Sequence, residues 1–385
     1  MKSTGYLYSI ATAAALVLAA TASAQDLPSS VTGPYVEYER AVEAGDGAAA
    51  YDAARRAFEA GEAERIDRET LGLLAENFGA AAAALGNFER AYEIWRDAAR
   101  LGERAGIAPA DQAWREFNTA RAAYQSGRGR EARRHAGRAQ DALQDAGPED
   151  VTALGFRGEL HVLSARLAAA AGDWGEADAY TAHALTVFAE QDRQPGPDYA
   201  MAHLLAAVSN TLFREVPGSG VQVRDPVEGG YHARMAELMF SGIGGMERLV
   251  LSAREMGGGF DELDPAVRAR LDADPLFQAH YVERVELLQF ADPATLDLEV
   301  VADAFPRYPA GAARAFVQGM VFMSFDVDEA GRVDNVEILS GFPAGVFDEA
   351  ALEAIAQWRY EPAIEDGQPV RSEGHTTHFQ FRLVR

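Results

Sequence analysis

Between about Tyr35 and Phe213 one kind of break recurs four times. Gly45-Asp46, Gly86-Asn87-Phe88, Gly127-Arg128-Gly129 and Gly172-Asp173-Trp174 interrupt long stretches of Ala, Arg, Glu and Leu. Each glycine stands five residues before an alanine, Ala50, Ala91, Ala132 and Ala177, and seven residues further lie Ala57, Ala98, Ala139 and Ala184. Glycine permits the turn between two helices, and alanine at the crossing points lets the neighbours approach closely. No single pair of this kind buries its apolar face alone, so a chain with this period stacks its pairs side by side. Residues 31–215 are therefore expected to form a helical array.

These residues resemble the second helix of tetratricopeptide (TPR) repeats. The glycines recur after 41, 41 and 45 residues (positions 45, 86, 127 and 172), longer than the roughly 34 residues of that family, which predicts longer helices or larger loops. The family's proline between repeats is matched only loosely, by Pro109, Pro148 and Pro197. An unrelated α-solenoid fits the same pattern. Phe88, Tyr92, Trp95, Trp114, Phe117 and Trp174 fall at helical spacings and are read as filling the seams between helices, in preference to lining a ligand groove. Arrays of this type bind protein segments along a concave face.

The N-terminus limits where such a chain works. Lys2 precedes an apolar stretch from Tyr6 to Thr21, and Ala22-Ser23-Ala24 supplies the small-x-small pattern of a signal-peptidase site. Residues 1–24 are read as a signal peptide cleaved between Ala24 and Gln25, which places the product in the periplasm. The alternative is an uncleaved inner-membrane anchor facing the periplasm, and membrane association is expected only in that case. Cysteine is absent, which excludes disulfides, thiol nucleophiles, cysteine metal sites and lipid attachment at an N-terminal cysteine. The formal charge is -24, and loss of Lys2, the only lysine, makes it one unit more negative. Nucleic acid and anionic lipid are poor partners for that surface.

Residues 216–297 have a different texture and are read as a helical connector. Pro217-Gly218-Ser219-Gly220 ends the array, while Gly229-Gly230, Gly244-Gly245 and Gly257-Gly258-Gly259 punctuate helices over Tyr231 to Phe240 and Glu247 to Met256. Val267, Leu271, Leu276, Tyr281, Val285 and Leu288 suggest a further helix or pair from Pro265 to Phe290. No function follows from this segment.

In residues 298–385 the period becomes strand-like. Val321, Met323, Phe325 and Val327 alternate with Met320, Phe322, Ser324 and Asp326, a strand with one face much more apolar than the other. Asp328 to Gly331 makes a turn in which Gly331 takes a positive φ, and Val333 to Leu339 returns as a second strand. Asp348 and Glu349 open a helix with Phe347, Ala351, Ile355 and Trp358 on one apolar face. Pro362 stops the helical region, Asp366-Gly367 turns, and Phe379, Phe381 and Leu383 alternate in a final strand. The fold class is mainly α with an α+β C-terminal domain, a three-stranded antiparallel sheet packed by helices. Phe325, Leu339, Ile355, Trp358 and Phe381 are expected to give residues 298–385 a self-contained core.

Tyr308-Pro309, Gly319, Phe325-Asp326-Val327, Gly331 to Val336, Ile338-Leu339-Ser340 and Trp358-Arg359-Tyr360-Glu361-Pro362 stand in an order and spacing that resemble the C-terminal domain of the TonB family. The resemblance implies a periplasmic, non-enzymatic domain that binds the N-terminal box of outer-membrane receptors and serves TonB-dependent transmembrane transport. It also implies binding by strand addition at the last strand, Gly374 to Leu383, with His375, Thr376, Thr377, His378, Phe379, Gln380, Phe381 and Arg382 as the partner-binding strand. The N-terminal segment has no histidine and a repeat array replaces a proline-rich spacer, so a binding domain carried on an adaptor is expected in place of a full transducer. The alternative is a periplasmic TPR scaffold that grips another envelope protein.

Other chemistry finds no pattern. His375 and His378 form an H-x-x-H pair, but residues three apart on a strand point to opposite faces, so no shared metal ion is expected. No nucleophile elbow, phosphate-binding loop or zinc-helix motif occurs. Hence no enzyme, cofactor, nucleic acid or small-molecule substrate is expected.

Overall fold

A computed structural model describes residues 27–147, 150–191, 196–212, 226–257, 263–281, 300–365 and 367–383. The Ala24/Gln25 site, Pro148, Pro217 to Gly220, Gly258-Gly259, Val285, Leu288 and Asp366 lie outside them. The chain divides into two units, residues 1–163 and 164–385, with the boundary inside a helix.

The first unit is built of helix pairs: α1 (Ser29–Glu43) with α2 (Gly47–Glu64), α3 (Arg68–Ala84) with α4 (Phe88–Ala105), and α5 (Pro109–Gln125) with α6 (Gly129–Ala146). Gly45, Gly86 and Gly127 sit at φ of 70°, 73° and 78° between the members of each pair, the left-handed geometry that ends one helix and reverses the chain. Asp46 and Asn87 then cap the second helices, accepting from Ala49 N at 3.0 Å and Arg90 N at 3.3 Å. Ala50, Ala57, Ala91, Ala98, Ala132 and Ala139 are all at most 3 % exposed, so the alanine spacing marks the packed face. Helices of 15 to 18 residues account for the long repeat. Pro109 opens α5. Tyr92, Trp95 and Phe117 are buried and Trp114 packs edge-on against Trp95, so these rings fill seams between helices.

The second unit begins within α7 (Val151–Ala170) and continues through α8 (Trp174–Glu190), α9 (Pro197–Leu212), α10 (Pro226–Ser241), α11 (Glu247–Gly257), α12 (Pro265–Asp272) and α13 (Pro275–His280). The fourth break keeps the pattern, with Gly172 at φ 81°, Asp173 capping α8, and Ala177 and Ala184 buried. Pro197 opens α9. Among the described residues no helix is long and apolar enough to cross a membrane.

The terminal sheet follows. Its strands are β2 (Gly319–Val327), β3 (Val333–Phe342) and β7 (Ser372–Phe381), antiparallel in the order β3-β2-β7, with α14 (Ala310–Arg314) before them and α15 (Asp348–Ile355) between β3 and β7. Two small pairs accompany it, β1 (Val300–Ala302) with β4 (Arg359–Tyr360), and β5 (Ala363–Glu365) with β6 (Gln368–Val370).

The less apolar face of β2 is covered too where it carries Met320 and Phe322, while Ser324 and Asp326 on that face stay half-buried. Val321, Met323, Phe325 and Val327 join Phe379, Phe381 and the α15 residues Ala351 and Ile355 in one core, while Met320 and Phe322 on the opposite face are also 0 % exposed. Two helices cover that second face: α9, from the end of the helical array, packs on β2, and α11, from the connector, packs across β2, β3 and β7.

Candidate functional site

The family-motif residues converge on the β2–β3 turn and the core beside α15. Gly331, at φ 75°, closes the turn, and a Cβ there would stand 2.0 Å from the Tyr360 carbonyl oxygen. The Gly331 carbonyl in turn accepts from Tyr360 N at 2.9 Å, so both the turn and the close approach require glycine. Asp328 secures the turn by accepting from Ala330 N and Arg332 N at 2.9 and 2.8 Å. Hydrogen bonds from Arg332 hold its carboxyl below the usual range.

Tyr308 donates its hydroxyl to the Val317 carbonyl at 2.6 Å and meets the rings of Phe347 and Phe381 edge-on. Pro309 stands at the N-cap position of α14. Trp358 donates to the Ala304 carbonyl at 3.1 Å and packs edge-on against Phe379, Tyr360 stacks on Phe325, and Pro362 lies 3.7 Å from the position of a Cβ on Gly331. Arg359 is exposed and pairs through its backbone with β1. These are supports of the sheet, except Ser340, whose hydroxyl meets that of Ser252 on α11 at 2.7 Å.

β7 runs beside β2 through seven consecutive pairs, from Gly319↔Phe381 to Phe325↔His375. A bulge then shifts the register before Val327↔Ser372. Gly374 occupies it at φ 77° and its N–H donates to Asp326 Oδ1 at 3.0 Å. Asp326 also accepts from Arg371 at 2.6 Å and Asn335 at 2.8 Å. Burial alone would raise its carboxyl, but these three hydrogen bonds outweigh it and hold the group below the usual carboxylate range.

Side chains on both faces of β7 have partners. His375, Phe379 and Phe381 are buried toward the α15 side, His375 beside the Phe325 ring with Nε2 2.9 Å from Ser372 Oγ, and Thr377 stands opposite Met323. Burial pushes the His375 imidazole down. Thr376, His378 and Gln380 follow one another on the α11 side, and Arg382, expected in the strand, lies just past its end: Thr376 Oγ1 donates to Glu255 Oε2 at 2.5 Å, His378 Nδ1 donates to Glu255 Oε1 at 3.2 Å, Gln380 Nε2 donates to His378 Nε2 at 3.2 Å, and Arg382 Nε donates to Gln380 Oε1 at 3.0 Å. His375 and His378 thus serve opposite faces, and among the described residues no group of three or more ligating side chains is placed to hold a metal.

The outer backbone edge of β7 is the other hydrogen-bonding surface of the strand. Among the described residues β7 pairs with β2 alone, and no charged side chain occurs from Gly374 to Phe381. β3, the opposite edge, differs. It carries Asp334 and Glu337, holds Asn335 at φ 48°, and pairs with β2 through two register shifts, features that discourage further strand pairing.

Residues 304–383 match the family model of the Gram-negative bacterial TonB protein C-terminal. The TonB proteins of Escherichia coli (strain K12) and Salmonella typhimurium are similar to this segment, 49 % identical over 57 residues and 42 % identical over 78. These alignments cover 15 % and 20 % of this chain, and 24 % and 30 % of the relatives. TonB of Pseudomonas aeruginosa is 32 % identical over 80 residues, 21 % of this chain and 23 % of that protein. The chain thus spans less than a third of the length of these relatives, and the likeness is confined to the terminal domain.

Upstream, solved helical-repeat structures align at low similarity. A putative kinesin light chain with TPR-like repeats from Podosopora anserina is 14 % identical at a TM-score of 0.38, over 60 % of this chain and 95 % of that one. A TPR repeats protein from Bacteroides fragilis is 13 % identical at a TM-score of 0.29, over 68 % of this chain and 100 % of that one.

Sequence reasoning missed Arg248, Ser252 and Glu255, the α11 residues that touch the sheet. Their i, i+4, i+7 spacing was present, but a polar stripe on a helix reads as a solvated face.

Proposed function

We propose that the TonB-like domain binds an extended segment of an outer-membrane receptor, or of another envelope protein, by adding it as a fourth strand to the outer edge of β7. In this reading the chain is a non-enzymatic periplasmic adaptor in TonB-dependent transmembrane transport. The supporting observation is the contrast between the two sheet edges. β7 offers an uncharged run from His375 to Phe381 in unbroken register with β2, with Thr376 and His378 bonded to Glu255 and His375, Phe379 and Phe381 buried. An incoming strand would gain affinity from backbone N–H and C=O groups. The adjoining helical pairs supply the adaptor.

Proline at Thr376 or at Thr377 removes one backbone donor and fixes φ, so the variant whose N–H points outward loses binding while the fold survives. Alanine at the same positions keeps the donor, and at Thr377, which has no bond to Glu255, it is the clean control. The test is the affinity of all four variants for a synthetic peptide of the periplasm-facing N-terminal segment of an outer-membrane receptor from the same genome, with circular dichroism as the folding control. Binding unchanged in two folded proline variants would refute edge pairing.

A further inference from the structure

α11 lies outside the segment that matches the TonB family, yet it touches both outer strands of the sheet. Arg248 forms an ion pair with Glu337 on β3, Ser252 meets Ser340 on β3, and Glu255 accepts from Thr376 and His378 on β7. The three residues stand at i, i+4 and i+7, one stripe of the helix. Ser252 is 0 % exposed where it meets Ser340, so a small side chain stands at the contact between the helix and the sheet. The far side of α11 is anchored as well. Arg254 donates to Glu237 at 2.7 Å, and Glu237, itself 0 % exposed, also pairs with Arg234 on α10.

Glu255 is the only described residue of this stripe that reaches β7. Each of its carboxylate oxygens receives one hydrogen bond, and the series continues through His378 to Gln380 and Arg382. That series fixes alternate side chains on the α11 side, over the part of β7 that keeps unbroken register with β2.

We propose that Glu255 is a positioning residue for the binding strand: held by α10 and α11, it sets the backbone of β7 in the geometry that an incoming strand requires, without touching that strand. The proposal rests on the strand-addition reading for its functional consequence. Its structural half, the ordering of β7, stands apart from that reading. Recognition by the TonB-like domain then depends on a helix that such a domain does not itself contain.

The experiment uses the full chain and compares wild type with Glu255→Ala, Glu255→Gln and Arg248→Ala. Two quantities are read, amide hydrogen exchange across residues 375–381 in the free protein and affinity for the receptor-segment peptide. A hydrogen bond to a carboxylate is strong enough that losing two of them in Glu255→Ala should speed exchange in β7 and weaken peptide binding by about tenfold each. Glutamine keeps an oxygen for His378 Nδ1 and donates its amide to Thr376 Oγ1, so Glu255→Gln restores most of both. Arg248→Ala, which releases only β3, leaves β7 exchange unchanged. If the wild type does not bind the peptide but Glu255→Ala still loosens β7, Glu255 positions the strand and the strand-addition reading is the one that fails. Exchange and affinity in Glu255→Ala within about twofold of wild type would overturn the proposal.

Discussion

A fragment of residues 298–385 contains all three strands of the terminal sheet and α15, but neither α9 nor α11. Its second face would then carry Met320 and Phe322, both 0 % exposed in the intact chain, into water. Exposing a fully buried side chain of this size costs about 1.5–3 kcal/mol, so the pair accounts for about 3–6 kcal/mol. A domain has about 5–15 kcal/mol of stability in total, which leaves the fragment marginal. The assay is urea denaturation of residues 298–385 and of residues 164–385, followed by Trp358 fluorescence and circular dichroism. With a slope of about 1–3 kcal/mol per molar urea, the shorter fragment should unfold at a midpoint lower by about 1 M or more, or associate to cover its apolar face. A monomeric 298–385 fragment within about 1 kcal/mol of the longer one would refute the assignment of α9 and α11 to the terminal core.

Four further outcomes follow from single features. Gly331→Ala forces a side chain into the left-handed region, at about 1–2 kcal/mol, and against the Tyr360 carbonyl, so thermal denaturation should show a loss of about 2 kcal/mol or more. Ala98→Leu, at a site that is 0 % exposed in α4, should overpack the helix crossing and cost about 1–3 kcal/mol by the same assay. The folded-state carboxyl of Asp326 lies below the ordinary 3.8, so its contribution is present above that pH and is lost as pH falls through the folded value; acid titration of stability should therefore be shallower below about pH 4 in Asp326→Asn. Protein recovered from the envelope should have an intact mass that begins at Gln25, and retention of residues 1–24 in an inner-membrane fraction would favour the anchored form.

The repeats were legible because glycine and alanine were each placed by a steric demand: the left-handed turn at Gly45, Gly86, Gly127 and Gly172, and the close crossings at residues such as Ala91 and Ala139. The strands were legible from alternation, with ends displaced. β3 continues to Phe342, and the last strand runs Ser372–Phe381 because the bulge at Gly374 lets pairing resume at Ser372. The pairs β1–β4 and β5–β6 are strands of two or three residues, too short to show a period. The covering of the second sheet face was not legible, since Ser324 and Asp326 gave that face a polar reading beside Met320 and Phe322. The contact from Glu255 to Thr376 also joins residues 121 apart through hydroxyl and carboxylate groups that carry no hydrophobic period.

Strand addition at β7 is tested most directly by residue-resolved amide exchange of the full chain with and without the receptor-segment peptide. An added strand pairs with the outward N–H groups only, so protection should rise at every second residue from His375 to Phe381 while β3 stays unchanged. Protection confined to α1–α10, or absent from residues 375–381 at saturating peptide, would contradict the account.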